Sequence, residues 1–404
     1  MDVYGELGIR TVIDAAGPLT KVGGSLMHPE VLAAMAEAAK AFVDMDELLE
    51  RAGQQLAQLT GAPAAFITSG AAAGLSTATA ACMAGADPVK AKQLPDTTGL
   101  RDEVVMFHTH RIHYDQAVRV AGARIVEAGF ADWSSPEDLE ASLTDKMAAV
   151  LYVAKAENAR GSLPLKQVLE MAKSRSVPVI VDAADELPPV SNLHRFTDMG
   201  ADLVLFSGGK DLRGPQASGL ILGRPDLIRA CAVNGSPNYG IGRPMKVSKE
   251  VVVGLVKAVE LYLQQDFDAE MKTWIRQRDQ FIERVSGLPH VSAGSVQNVS
   301  AGSPGSFYLP AAYVNWDIAQ LGLTITHVVE ALRNGNPRIV VAESPTGIII
   351  RSHMLEEGEE IIIGTGIGIM KRNCPLPRPP CARSLPTPSC SRRWRRGFWW
   401  RKAS

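Results

Sequence analysis

Lys210 follows an apolar run, Ala201 to Phe206, in the setting Ser207-Gly208-Gly209-Lys210. A lysine among small residues at a strand end has room around its amine. Partial desolvation lowers its pKa and makes it a nucleophile toward a carbonyl. Upstream, the apolar run Val177 to Val181 closes on Asp182. A carboxylate and a lysine at the ends of two strands of one sheet are what pyridoxal phosphate needs. The lysine condenses with its aldehyde, and the aspartate keeps the pyridine nitrogen protonated so that the ring accepts electrons. A third element, Thr68-Ser69-Gly70-Ala71-Ala72-Ala73-Gly74, follows the run Ala64 to Ile67. Small residues let a backbone approach a phosphate, and a helix N-terminus offers unpaired N–H groups and the positive end of a dipole. Ser69, Gly70 and Ala71 are therefore candidate phosphate ligands, with Ser207 beside the lysine; helix capping alone would also explain Ser69 and Gly70.

The elements that must position these residues alternate. Runs with strand character at Ala64–Ile67, Val104–Phe107, Arg124–Glu127, Ala148–Val153, Val177–Val181, Asp202–Phe206 and Gly219–Leu222 are interleaved with helical patterns, among them Met45–Leu59, Pro136–Leu143 and Leu165–Ser174. Such alternation means an α/β fold, a mostly parallel sheet with helices on both faces. Ligands then bind at the carboxyl ends of the strands, where Asp182 and Lys210 fall. Residues 1–30 read as an extended arm, 31–250 as a large domain and 251–370 as a small α+β domain. The small domain is expected to open with a long helix near Val251 to Leu263 and to end in a strand at Glu360-Ile361-Ile362-Ile363.

Two further segments carry candidate chemistry. Asn158, in Glu157-Asn158-Ala159-Arg160-Gly161 after the run ending at Val153, could donate to the cofactor's phenolic oxygen, or it is a turn residue. Arg243 and Lys246 lie in a Gly-rich segment with no acid between them, which suits an anionic substrate group.

The order of phosphate turn, strand-end aspartate and Ser-Gly-Gly-Lys resembles the fold-type-I pyridoxal-phosphate enzymes. More narrowly, the chain resembles the branch containing bacterial selenocysteine synthase and D-glucosaminate-6-phosphate ammonia-lyase. The residues that carry this are Thr60-Gly61-Ala62, Thr68 to Ala72, Val181-Asp182-Ala183-Ala184, Ser207 to Lys210, Gly214-Pro215-Gln216 and Gly242 to Val247, within roughly residues 5–365. The resemblance implies a seven-stranded, mostly parallel sheet and a site at a homodimer or higher interface. It implies that Gln216, with Ser218, approaches the cofactor phosphate. It implies an aromatic ring stacked on the cofactor, for which His110 is the first choice and His113 the next. Finally, it gives Arg351 the role of binding a substrate carboxylate.

Composition bounds the rest. The chain has 404 residues, 46% hydrophobic and 21% charged, enough for one large and one smaller domain. No apolar stretch is long enough to span a membrane and the N-terminus is not a secretory signal, so the cytoplasm is the default. Cys82 and Cys231 read as inert thiols, and no spacing suggests a metal. Residues 371–404 hold ten Lys or Arg and no acid, leaving 32 basic against 43 acidic residues elsewhere. The acidic body argues against nucleic acid, and the Pro- and Trp-rich tail reads as disordered or as a translated reading-frame artefact. The expected activity is that of a lyase on a small anionic amino substrate. Lys210 takes the proton at Cα, a leaving group departs from Cβ, and the resulting enamine hydrolyses to a keto acid and ammonia. An aldolase, racemase or aminotransferase would use the same residues, and selenium transfer to seryl-tRNA would share the elimination.

Overall fold

The computed structural model describes residues 3–296 and 309–373. Its strands are β1 Val12–Ala15, β2 Ala65–Thr68, β3 Glu103–Phe107, β4 Arg124–Ala128, β5 Met147–Val153, β6 Val179–Asp182, β7 Leu203–Ser207, β8 Gly219–Gly223, β9 Val291–Ser295, β10 Ala311–Trp316, β11 Arg338–Ser344 and β12 Gly347–Arg351. β2 to β8 form one seven-stranded sheet in the order β2-β8-β7-β6-β5-β3-β4. β4, β3, β5, β6 and β7 run parallel, and β8 pairs antiparallel with both β7 and β2.

The sequence explains this sheet directly. All seven residues of β5 and all four of β6 are buried, as strands covered by helices on both faces must be. Alternate residues feed two cores. Val105, Val150, Tyr152 and Val181 pack on one face, and Val104, Met106, Leu151 and Ile180 on the other. The helix Ala71–Ala84 is buried almost all round and made of small residues because it is wedged close to the sheet; a Cβ on Gly74 would sit 2.7 Å from the Leu205 side chain. Burial pushes the Cys82 thiol up to about 12 and that of Cys231 well above its ordinary value, which keeps both unreactive.

The second sheet has the order β1-β11-β12-β10-β9 and a core of its own, with Ile13, Phe281, Val314, Leu332, Ile348 and Ile363. Its edge strand β1 comes from the segment read as an extended arm, and it pairs parallel to β11. The pattern that makes it a strand is short: Ile13 and Ala15 point into this core, and Val12 and Asp14 do not. The expected closing strand at 360–363 is instead part of the helix Glu359–Asn373. Ile363 and Ile367, four apart, are buried in the second core, while Ile361 and Ile362 are exposed. That is a helical stripe, and a strand would bury alternate residues. The tail is outside the described residues from 374 onward.

Candidate active site

β5, β6 and β7 end together, with Val153 beside Asp182 and Asp182 beside Leu205 in the parallel register. Next to β7, Ser207 pairs with Gly219 of β8, which in turn pairs with Thr68 at the end of β2. The lysine turn, the aspartate and the small-residue turn thus leave the sheet along one edge.

The turn that carries Lys210 is sterically locked. A Cβ on Gly208 would fall 2.0 Å from Ser218 Oγ, and one on Gly209 would fall 2.5 Å from Gln216 Cα. Gly208 N donates to Ser218 O, and Gly214 N donates to Gly208 O. The N-terminal segment grips the outside of the turn. Ser25 Oγ donates to Lys210 O at 2.7 Å, Ser25 N donates to Gly209 O, and Gln216 Nε2 donates to Thr20 O at 3.0 Å.

Lys210 and Asp182 line one cavity of about 1010 Å³. From the large sheet it takes Val153, Lys155, Asp182, Asp185, Lys210 and Asp211, and from the loop after β3 it takes Arg111, His113 and Arg119. Gly17 to Thr20, Arg351 and His353 close it from the side of the second sheet. Asp182 is 7% exposed, and its Oδ1 accepts from Ala184 N at 3.1 Å. Burial pushes its carboxyl up, while the neighbouring Lys210 opposes that rise. Asp211 is also pushed up, to about 7, by burial and by Asp185. Asp185 behaves oppositely. It accepts from Lys210 Nζ at 3.1 Å and from Lys155 Nζ at 2.6 Å. Burial opposes its ionisation, yet the two lysines together hold it down to about 2.

Arg351, at the end of β12, donates from Nη1 to Ala16 O, the residue that follows β1 in the same sheet, and it lines the cavity from that side. His353 is 2% exposed and kept neutral by burial, its pKa lowered to about 3. Its Nε2 lies 3.8 Å from Asp211, and its backbone oxygen accepts from Arg213 Nη2 at 3.2 Å.

The other sequence candidates fall in different places. His110 is fully buried, and burial lowers its pKa to about 4. Its Nδ1 accepts from Val153 N at 3.1 Å, so Nε2 carries the proton and faces Ser162 Oγ at 2.8 Å. Its ring packs edge-on to Tyr152 and Phe107. Of the three histidines in this segment, it is His113 that lines the cavity. Ser69, Gly70 and Ala71 are partly exposed at the start of the helix Ala71–Ala84 but do not line the cavity. Gly70 has φ +129, and open space surrounds the position of a Cβ there, so the backbone is bare on that side. Asn158 and Gln216 are exposed and off the cavity. Arg243 lies over the Tyr239 ring at 5.8 Å, and Lys246 is exposed; neither reaches the cavity of this chain.

Sequence reasoning missed Asp185, Lys155, Asp211, His353, Arg111 and Arg119. The signal for Asp185 was present: a second acid three residues after a strand-end aspartate, in Asp182-Ala183-Ala184-Asp185.

The residues present fit pyridoxal phosphate. A buried carboxyl and a lysine share one cavity, and a bare-backbone helix N-terminus stands on the same sheet edge. Comparison with known proteins agrees. Residues 24–311 match the aminotransferase class-V family, and the chain belongs to that family. It is a pyridoxal-phosphate enzyme of the fold-type-I architecture. Over 269 residues it is 39% identical to D-glucosaminate-6-phosphate ammonia lyase of Salmonella typhimurium, covering 65% of this chain and 70% of that protein. Over 347 residues it is 34% identical to 5'-C-glycyluridine monooxygenase-decarboxylase of a Streptomyces species, covering 84% of each. A solved structure of a D-glucosaminate-6-phosphate ammonia-lyase superposes with a TM-score of 0.81 at 32% identity, covering 92% of this chain and 98% of that one. Among the described residues no helix is long and apolar enough to cross a membrane.

Proposed function

We propose that the protein is an ammonia-lyase acting on a small anionic amino acid or amino-sugar acid that carries a hydroxyl at Cβ. The observation that carries this reading is the single cavity holding Lys210, Asp182 and Arg351, in a chain so similar to an ammonia-lyase in sequence and fold. Pyridoxal phosphate, when bound, supplies the electron sink that makes a Cα–H bond acidic. Lys210 would bond its aldehyde carbon, and Asp182 would hold its pyridine nitrogen. Ser69, Gly70, Ala71 and Ser207 are the nearest candidates for its phosphate, with Gln216 and Asn158 as outer contacts. Arg351 presents its guanidinium to a substrate carboxylate, a geometry suited to paired hydrogen bonds. Lys210 Nζ takes the proton from Cα. The Cβ–O bond then breaks and water leaves; hydrolysis of the enamine takes up water and frees ammonia with the 2-keto-3-deoxy acid. Arg243 and Lys246 reach a substrate only if they serve another copy of the chain, in the homo-oligomer that this family suggests.

The test is to incubate the purified protein with pyridoxal phosphate and D-glucosaminate 6-phosphate, alongside D- and L-hydroxyamino acids, and to measure keto acid and ammonia. Equal release of both from one substrate supports the reading. Racemisation, amino transfer to a keto acid, or aldehyde release without ammonia would sink it. The 84% coverage of the Streptomyces relative favours a second reading, oxidative decarboxylation of a larger glycyl substrate. Oxygen uptake together with carbon dioxide release would select that one.

A further inference from the structure

We propose that Asp185, held by Lys155, is the counter-ion that sets the protonation of the Lys210 nitrogen. The inference rests on the reading of Lys210 as the cofactor-bonded residue. Two ammonium groups share this one carboxylate, Lys210 at 3.1 Å and Lys155 at 2.6 Å. All three side chains line the cavity. Two other carboxyls stand close to Lys210. Asp182 is buried at the strand end and is reserved, on that same reading, for the ring nitrogen, and Asp211, its side chain 10% exposed, stands beside His353 and Arg213. Burial raises both of those, whereas Asp185 stays ionised throughout the neutral range. Asp185 is also the carboxylate within hydrogen-bond distance of Lys210 Nζ, so it is the charge that Lys210 meets. The remaining charged groups on the cavity are Arg111, Asp115, Arg119, Glu186 and Arg351, with the titratable His113 on the same wall, Arg213 beside Asp211, and His353 neutral.

Lys155 is the adjustable part. Its side chain is 62% exposed and that of Asp185 is 39% exposed, so solvent reaches both members of the pair. When Lys210 is bonded through its nitrogen, Asp185 and Lys155 remain as a pair at its side. A carboxylate at this distance favours a protonated nitrogen, and the Lys155 ammonium weakens that preference. When a substrate amine displaces Lys210, the freed amine takes the Cα proton, and the new ammonium has a carboxylate at hand that needs no rearrangement.

The test uses the holoenzyme. The visible absorbance of the lysine–cofactor linkage is titrated with pH in wild type, Asp185→Asn and Lys155→Met. Asp185→Asn should move the midpoint down by roughly one to three pH units, and Lys155→Met should move it up. The effect of Lys155→Met should shrink when Asp185 is already Asn. The charge-keeping variants Asp185→Glu and Lys155→Arg should stay near wild type, which separates charge from folding if the first pair expresses poorly. Midpoints unmoved in Asp185→Asn, or shifts of one sign in both variants, would overturn the proposal. Borohydride labelling of each variant tells the two ideas apart. A label on Lys210 with no midpoint shift removes only the counter-ion role, and a label on Lys155 removes both.

Discussion

The cavity has two walls of different origin. One is built by the ends of adjacent parallel strands and carries Asp182, Asp185 and Lys210 within a short stretch of chain. The other is assembled from the two extremes of the described chain, with Arg351 bonding to Ala16 across 335 residues of sequence. The first wall is fixed by register. Shifting any one of these strands by a residue would swap the rows of side chains that feed the two cores, so the positions of its end residues are over-determined. The second wall depends on segments far apart in the chain meeting, Gly17 to Thr20 after β1 and Arg351 at the end of β12. Under the proposed function, chemistry at Cα falls to the strand-end wall and selection among substrates to the closing one.

Several changes would break or sharpen this contrast. Lys210→Ala removes the covalent attachment and the Cα base together. Turnover should fall by about 10⁴-fold or more, with no borohydride label in the peptide map. Asp182→Asn should keep the cofactor bound but lower kcat by roughly 10²–10³-fold, the size of a lost electrostatic contact at a reacting centre. A near-normal rate in that variant would mean the ring is not activated through Asp182. On the closing wall, Arg351→Lys should raise KM about tenfold and leave kcat nearly unchanged, because a point charge replaces a fork on a ground-state contact. A fall in kcat equal to the rise in KM would place Arg351 in the chemistry and erase the distinction between the walls. Ser25→Ala removes one bond to the lysine turn and should cost about 1 kcal/mol in denaturant unfolding, with the cofactor spectrum unchanged.

The smallest expected effect is at Asp14. Burial raises its carboxyl to about 6 against an ordinary 3.8. The folded chain therefore holds this proton more tightly than the unfolded chain does. Stability is greatest below the unfolded pKa and is lost as pH rises through the folded one. Asp14→Asn should flatten that dependence, which thermal melts at pH 5 and pH 8 would reveal as a gain in Tm that is larger at the higher pH.

The strand-end wall was legible because its residues follow apolar runs closely. Val177 to Val181 pointed to Asp182, and Ala201 to Phe206 pointed to Lys210. The closing wall was not. Val12–Ala15 is only four residues long and makes its hydrogen bonds to a strand that local pattern cannot reveal. The isoleucine run at 361–363 mimics a buried strand until the packing of Ile363 and Ile367 is known. His110 was misleading for a different reason. Three histidines sit within six residues after a strand, and only tertiary contacts decide that His110 turns into the core while His113 faces the cavity.

The pairing of β1 with β11 also bears on how the molecule comes into being on the ribosome. The large sheet can collapse once residue 223 has been made, since all seven of its strands precede that point. The second sheet cannot, because its edge strand must wait, exposed and unpaired, until Arg338–Ser344 arrives. Contacts of such long sequence separation form slowly and leave strand edges open to wrong partners. Newly made chains should thus pass through a stage in which the lysine and aspartate are already in register while the mouth of the cavity is still open, the state most in need of protection by chaperones.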